Sequence, residues 1–152
     1  MRTSIKYQVG LETLQKILLT SLKAEASYEH LMSQTKNEII FKWLENRKEC
    51  TTDFILKVLT QLENMEATAP QISNIQYKLF KLLSDIKSLI FPKGDADIIR
   101  EGINVDGQYL KGLNEVLKDP TITDTLYSLY SKQIELLRAS VKQVETDQII
   151  LQ

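Results

Sequence analysis

The sequence predicts an all-α fold, and three observations carry that reading. Only three Pro and five Gly occur in 152 residues, fewer turn residues than a strand-rich domain needs. Long stretches place apolar residues three and four apart, the repeat of one buried helix face at about 100° per residue. The breaks between those stretches carry helix-boundary chemistry. Together these features give four helices of about 22–30 residues and one shorter helix, a four-helix bundle with a crossover between helices 2 and 3. An up-and-down arrangement of five sequential helices is the competing drawing.

The first helix is expected from about 11 to 33, with Leu11, Leu14, Leu18, Leu22 and Met32 on its stripe. Thr35-Lys-Asn-Glu38 has capping-box spacing and opens the second, expected over 37–67. Its stripe is Ile40, Trp43, Leu44, Phe54, Val58, Leu62 and Met65, and it ends before Pro70, since the residue before proline resists helical geometry. The short connection makes these two helices antiparallel neighbours. A short apolar helix follows over 75–91, and at 1.5 Å per residue it spans roughly 24 Å, enough to carry the chain back along much of the bundle. Asp95 is positioned to cap a helix over 96–118, and Asp119-Pro120 to open the last, over 121–148. The length fits one domain, 1–152.

Composition excludes several classes. Lys and Arg number 19 against 20 Asp and Glu, a net charge of −1, so no global field favours nucleic acid. Cys50 is the single cysteine, which rules out an intramolecular disulfide and makes a reducing compartment, the cytoplasm, the expectation. No run approaches the 18 apolar residues of a membrane span. Lys78, Lys81, Lys87 and Lys93 lie on the short helix with Asp85, and a solvated outer face accounts for them better than a membrane-surface contact. Glycine-rich phosphate loops and zinc spacings are missing, and with His30 as the sole histidine a nucleophile–base pair has little to stand on. No cofactor is expected.

The informative residues are polar ones at core positions. Glu25 falls within the first stripe, where a carboxylate costs several kcal/mol in order of magnitude unless paired, protonated or metal-bound. Arg47 falls between Leu44 and Phe54, Asp106 between Ile103 and Leu110, and Gln133 between Leu129 and Leu137. With a crossover, all four stand at one height. Glu25 and Asp106 are then expected to be balanced by Arg47 and hydrogen-bonded through Gln133, Tyr28 or Tyr109, as a buried network that specifies packing. The competing reading is a carboxylate metal site. A di-iron site takes a Glu from each of two helices and a Glu-x-x-His pair from each of the others. Ser27 stands three residues before His30, and His30 is expected to point outward, so that set cannot be assembled.

Leu18-Leu-Thr-Ser-Leu-Lys-Ala-Glu25-Ala-Ser-Tyr28, and the turn Ile90-Phe-Pro-Lys-Gly-Asp95, resemble an uncharacterised bacterial family with the ferritin-like four-helix-bundle fold. The likeness runs from about Leu11 to Val144 and rests on pattern. Such relatives tend to hold two acids at i and i+3 on the third helix, where this chain has Ile103 and Asp106, and often a His on the fourth, where Ser140 stands. Only Glu25 and Asp106 carry over as metal ligands, too few for the usual oxygen shell of Mg²⁺ or Ca²⁺. The resemblance implies the fold and a noncatalytic interaction or stress-associated role. The alternative is a metal-binding oxidoreductase or iron-binding protein centred on Glu25 and Asp106. Self-association as a dimer is expected from exposed stripe edges and from Ile149-Ile150-Leu151, and an unidentified protein partner is the other expectation.

Overall fold

A computed structural model describes residues 2–64, 77–78, 81, 84, 94–118 and 124–151; side chains are described for 12–63, 77–78, 81, 84, 94–118 and 124–142. Among these residues are four long helices and no strand: α1 (Arg2–Gln34), α2 (Glu38–Asn64), α3 (Asp95–Leu117) and α4 (Asp124–Leu151). Tyr77, Lys78, Lys81 and Ser84 are helical and exposed, but most of the segment expected as the short helix, with Lys87 and Lys93, lies outside the described residues. So do Pro70, Asp119 and Pro120.

Helix ends differ from expectation in instructive ways. α1 starts near the beginning of the chain and runs through Gly10, whose cost of about 1 kcal/mol does not stop a 33-residue helix. The cap of α2 is Asn37, not Thr35. Asn37 Oδ1 accepts from the backbone N–H of Ile39 at 2.9 Å and of Ile40 at 3.4 Å. Thr35 instead accepts from the Asn37 N–H at 3.2 Å and shapes the turn. Gly94 is the N-cap of α3 and Asp95 its first helical residue. There Asp95 complements the positive helix end and accepts from Asn37 Nδ2 at 3.2 Å, tying the starts of α2 and α3 together. α4 runs past 148 to Leu151.

Pairwise contacts fix the directions. Glu25 meets Thr52 and Glu29 meets Lys48, so α1 and α2 are antiparallel. Tyr28 meets Asp106 and Ser21 meets Tyr109, so α1 and α3 are antiparallel as well. From Asn37–Asp95 to Arg47–Asp106 the numbers rise together, and α2 and α3 are therefore parallel. Arg47–Ser140 and Phe54–Tyr130 make α4 antiparallel to α2. Asn64 and Gly94 thus lie at opposite ends of α2, about 40 Å apart at 1.5 Å per residue. A crossover between α2 and α3 gives that direction, and so does an up-and-down order of five helices, in which the second and fourth also run parallel.

The buried apolar cluster draws on all four helices, with Leu14, Ile17 and Leu18 of α1 and Leu44, Phe54 and Val58 of α2 facing Ile98 and Leu113 of α3 and Tyr130, Ile134 and Leu137 of α4. No helix among the described residues is long and apolar enough to cross a membrane.

Candidate functional site

The inner face of α1 is Leu14, Ile17, Leu18, Ser21, Ala24, Tyr28 and Leu31, all buried. This centre lies a fraction of a turn from the stripe expected around Glu25. Glu25 is accordingly half-buried at the α1–α2 shoulder, where its Oε2 accepts from the Thr52 hydroxyl at 2.6 Å. Arg47 is not its partner. The physical reason is the breadth of the apolar stripe: Leu22 and Met32 are only partly buried edge residues, and counting them as central turned the helix toward Glu25. His30, expected to face outward, is half-buried near the turn into α2.

Arg47 and Asp106 are both buried, with about 1% of the Asp106 side chain exposed. Arg47 Nε donates to Asp106 Oδ2 at 2.9 Å and to Oδ1 at 3.2 Å. The Tyr28 hydroxyl donates to Oδ1 from the opposite side at 2.5 Å. The rest of the guanidinium is also engaged. One terminal nitrogen donates to the Trp43 carbonyl at 3.4 Å, the other to the Ser140 carbonyl at 3.2 Å, and the group lies 4.1 Å from the centre of the Trp43 ring. The i, i+4 spacing of Trp43 and Arg47 puts indole and guanidinium on the same face, where stacking offsets part of the desolvation of the cation. One residue from each helix, Tyr28, Arg47, Asp106 and Ser140, thus forms a closed cluster.

Tyr109 and Gln133 belong to a second level, about one turn away. Tyr109 donates to the Ser21 hydroxyl at 2.8 Å. Gln133 is 3% exposed and faces Tyr109 and Cys50, not Arg47. The single layer expected from matched heights is therefore two. Sequence reasoning missed Ser21, Thr51 and Tyr130, and it placed Trp43 on the apolar stripe without its contact to Arg47. Ser21 had a signal, since it stands seven residues from both Leu14 and Tyr28. Thr51 is buried with its hydroxyl turned back onto the Arg47 carbonyl at 2.8 Å. Tyr130 packs edge-on against Phe54, and its hydroxyl finds no hydrogen-bond partner among the described residues.

Burial governs the ionisation of these groups. The Tyr28 hydroxyl is held far above its ordinary range by burial and then by the Asp106 charge that it bonds; Arg47 opposes this. Tyr109 and Tyr130 are raised by burial, with Ser21 and Gln133 pulling Tyr109 back. Burial also lifts the half-buried Cys50 thiol, which keeps it protonated and a poor nucleophile. For Asp106, burial pushes the carboxyl up, while the Arg47 charge and the hydrogen bonds from Tyr28 and Arg47 act against it.

No family model matches this chain, and no curated protein or solved structure matches it.

The donor set does not fit a metal cluster. Both Asp106 oxygens are taken by Arg47 and one also by Tyr28, while Glu25 is engaged at the α1–α2 shoulder by Thr52. Among the described residues no three His, Cys, Asp or Glu side chains converge. A divalent cation beside Asp106 would also face the guanidinium as a like charge at close range.

Proposed function

We propose that this chain is a noncatalytic ferritin-like four-helix bundle that acts by association. The parallel α2 and α3 support the ferritin-like topology, which needs one long connection between its second and third helices. The observation that carries the noncatalytic reading is the Arg47–Asp106–Tyr28 cluster. Where di-iron bundles of this topology gather carboxylates and histidines around metal, the inward cation here is a side chain of the protein. It is already neutralised by Asp106, the one fully buried acid among the described residues. With these charged groups committed to one another, the core serves to fix how the helices pack, and function moves to the outer helix faces.

Elemental analysis of protein purified without chelator, after growth with added iron and manganese, tests this. Substoichiometric metal, unchanged in Glu25→Ala and Asp106→Asn, is the expected result. Stoichiometric iron or manganese lost in either variant would overturn it and restore the metal-binding oxidoreductase centred on Glu25 and Asp106.

A further inference from the structure

The seam between α1 and α3 carries a groove on its outer side. One stretch, of about 380 Å³, runs over Thr20 and Gly112 between Lys16 and Glu115. A second, of about 210 Å³, continues over the same two residues toward Lys23 and Gln108. The groove exists because the helices come close. A Cβ on Gly112 would stand 2.8 Å from Thr20 Cγ2 and would push that side chain aside, so glycine lets the two helices approach here. Small residues therefore form the floor, and longer side chains the rims.

The rims differ in charge, with two lysines on the α1 side and an acid and an amide on the α3 side. Lys16 and Lys23, seven residues apart, stand exposed on the α1 rim; Gln108 and Glu115, also seven apart, stand exposed on the α3 rim. Lys16 and Glu115 flank the same stretch at one height, and neither is in an ion pair among the described residues. A seven-residue repeat on both rims suits helices crossing at the shallow angle of bundle packing.

We propose that this α1/α3 face is the interface for a second copy of the chain. Take a twofold axis lying in the face and running along the groove. It sets α1 of one copy on α3 of the other, antiparallel and at unchanged height. Lys16 then meets Glu115 of the second copy, and the symmetry makes that pair twice. Lys23 meets Gln108 in the same way. Half-buried Leu19, beside Lys16, enters the partner's groove above Thr20 and Gly112. The 23 residues of α3 give a face about 34 Å long, and two helices make it about 20 Å wide. That projection, roughly 700 Å², is close to the ~800 Å² per partner of a stable interface. The inference rests on the reading of this bundle as a protein that acts by association, but the metal content that tests that reading is independent of the mass measured here.

Sedimentation or light scattering on the full chain is expected to give twice the chain mass of 17.5 kDa. Lys16→Glu alone, or Glu115→Lys alone, places like charges opposite each other twice and should weaken the dimer by about tenfold or more. An equimolar mixture of the two single variants should form a heterodimer, since each then offers the charge that the other lacks, and K16E/E115K should dimerise by itself. Both positions are exposed, so unchanged far-UV circular dichroism is expected to show the variants folded. A wild-type monomer would overturn the proposal. So would single variants that stay dimeric, or a mixture that stays monomeric.

Discussion

Arg47 of α2 holds both carboxylate oxygens of Asp106 of α3, across two helices that run parallel. Breaking this pair leaves a buried charge without its counterion, which costs about 3–5 kcal/mol. Arg47→Met is therefore expected to lower the unfolding free energy by roughly that amount in urea titrations. A triple variant, R47M/D106L/Y28F, removes every partner together and should recover much of the loss. A cost near zero for R47M would mean that water reaches Asp106.

The same variant has a pH signature. Burial raises the Asp106 carboxyl, and Arg47 is the main opposing influence, so R47M lets it rise further. A carboxyl raised in the folded state binds its proton more tightly there than in the unfolded chain. Its contribution is fully present below the unfolded value, about 3.9, and is lost as pH climbs toward the folded value. R47M should then lose stability between mildly acid and neutral pH more steeply than the wild type does. Parallel profiles for the two proteins would contradict this assignment.

Three buried tyrosines separate a bonded hydroxyl from an unbonded one. Tyr28 donates to a charged acceptor, and Tyr28→Phe should cost about 1.5–3 kcal/mol. Tyr109 donates to a neutral hydroxyl, so Tyr109→Phe should cost about 1 kcal/mol. The Tyr130 hydroxyl has no partner among the described residues, and Tyr130→Phe should be neutral or stabilising. Urea midpoints that fail to rank in this order would show that the network is arranged differently.

The helices were legible in the sequence because a 3.6-residue apolar repeat leaves few alternatives over 25 residues. The parallel α2 and α3 were legible too, from the length of chain set between them. Rotation about a helix axis was harder to read. One residue turns the face by 100°, and a stripe that includes edge residues such as Leu22 shifts its own centre, which is how Glu25 was placed inside and Ser21 overlooked. Arg47 and Asp106 were found because each is flanked on both sides by residues that are buried or packed against the core. Partnership was not legible: nothing local tells Arg47 to choose Asp106 over Glu25, since that depends on the direction of a side chain across the bundle.

Alkaline titration reads the core from another direction. Tyr28, Tyr109 and Tyr130 are all raised by burial, so the unfolded chain ionises them at lower pH than the folded one does. Stability is then full below about pH 10, the unfolded value, and falls as pH rises above it. The phenolate absorbance of these three residues should appear together with loss of helical circular dichroism. Y130F should soften this alkaline decline, having one fewer group to ionise on unfolding. Phenolate from all three in a protein that keeps its helical signal would show that the core admits hydroxide.

Two glycines of α3 give opposite expectations from one substitution. Helix propensity alone favours Ala over Gly by about 1 kcal/mol. At Gly107 an added Cβ meets nothing within 4 Å, so Gly107→Ala should raise stability by a few tenths to 1 kcal/mol. At Gly102 the added carbon would stand 2.7 Å from Trp43 Cζ3 and 2.8 Å from Cη2. The indole cannot simply retreat, because the Arg47 guanidinium stacks on it and Arg47 is held by Asp106. Overpacking of this kind costs about 1–3 kcal/mol and outweighs the gain in propensity. Gly102→Ala should therefore destabilise, and the loss should shrink when Trp43→Phe makes room for the methyl. Stabilisation by both alanines would mean that α2 and α3 lie farther apart at this level, with the Arg47–Asp106 contact correspondingly looser.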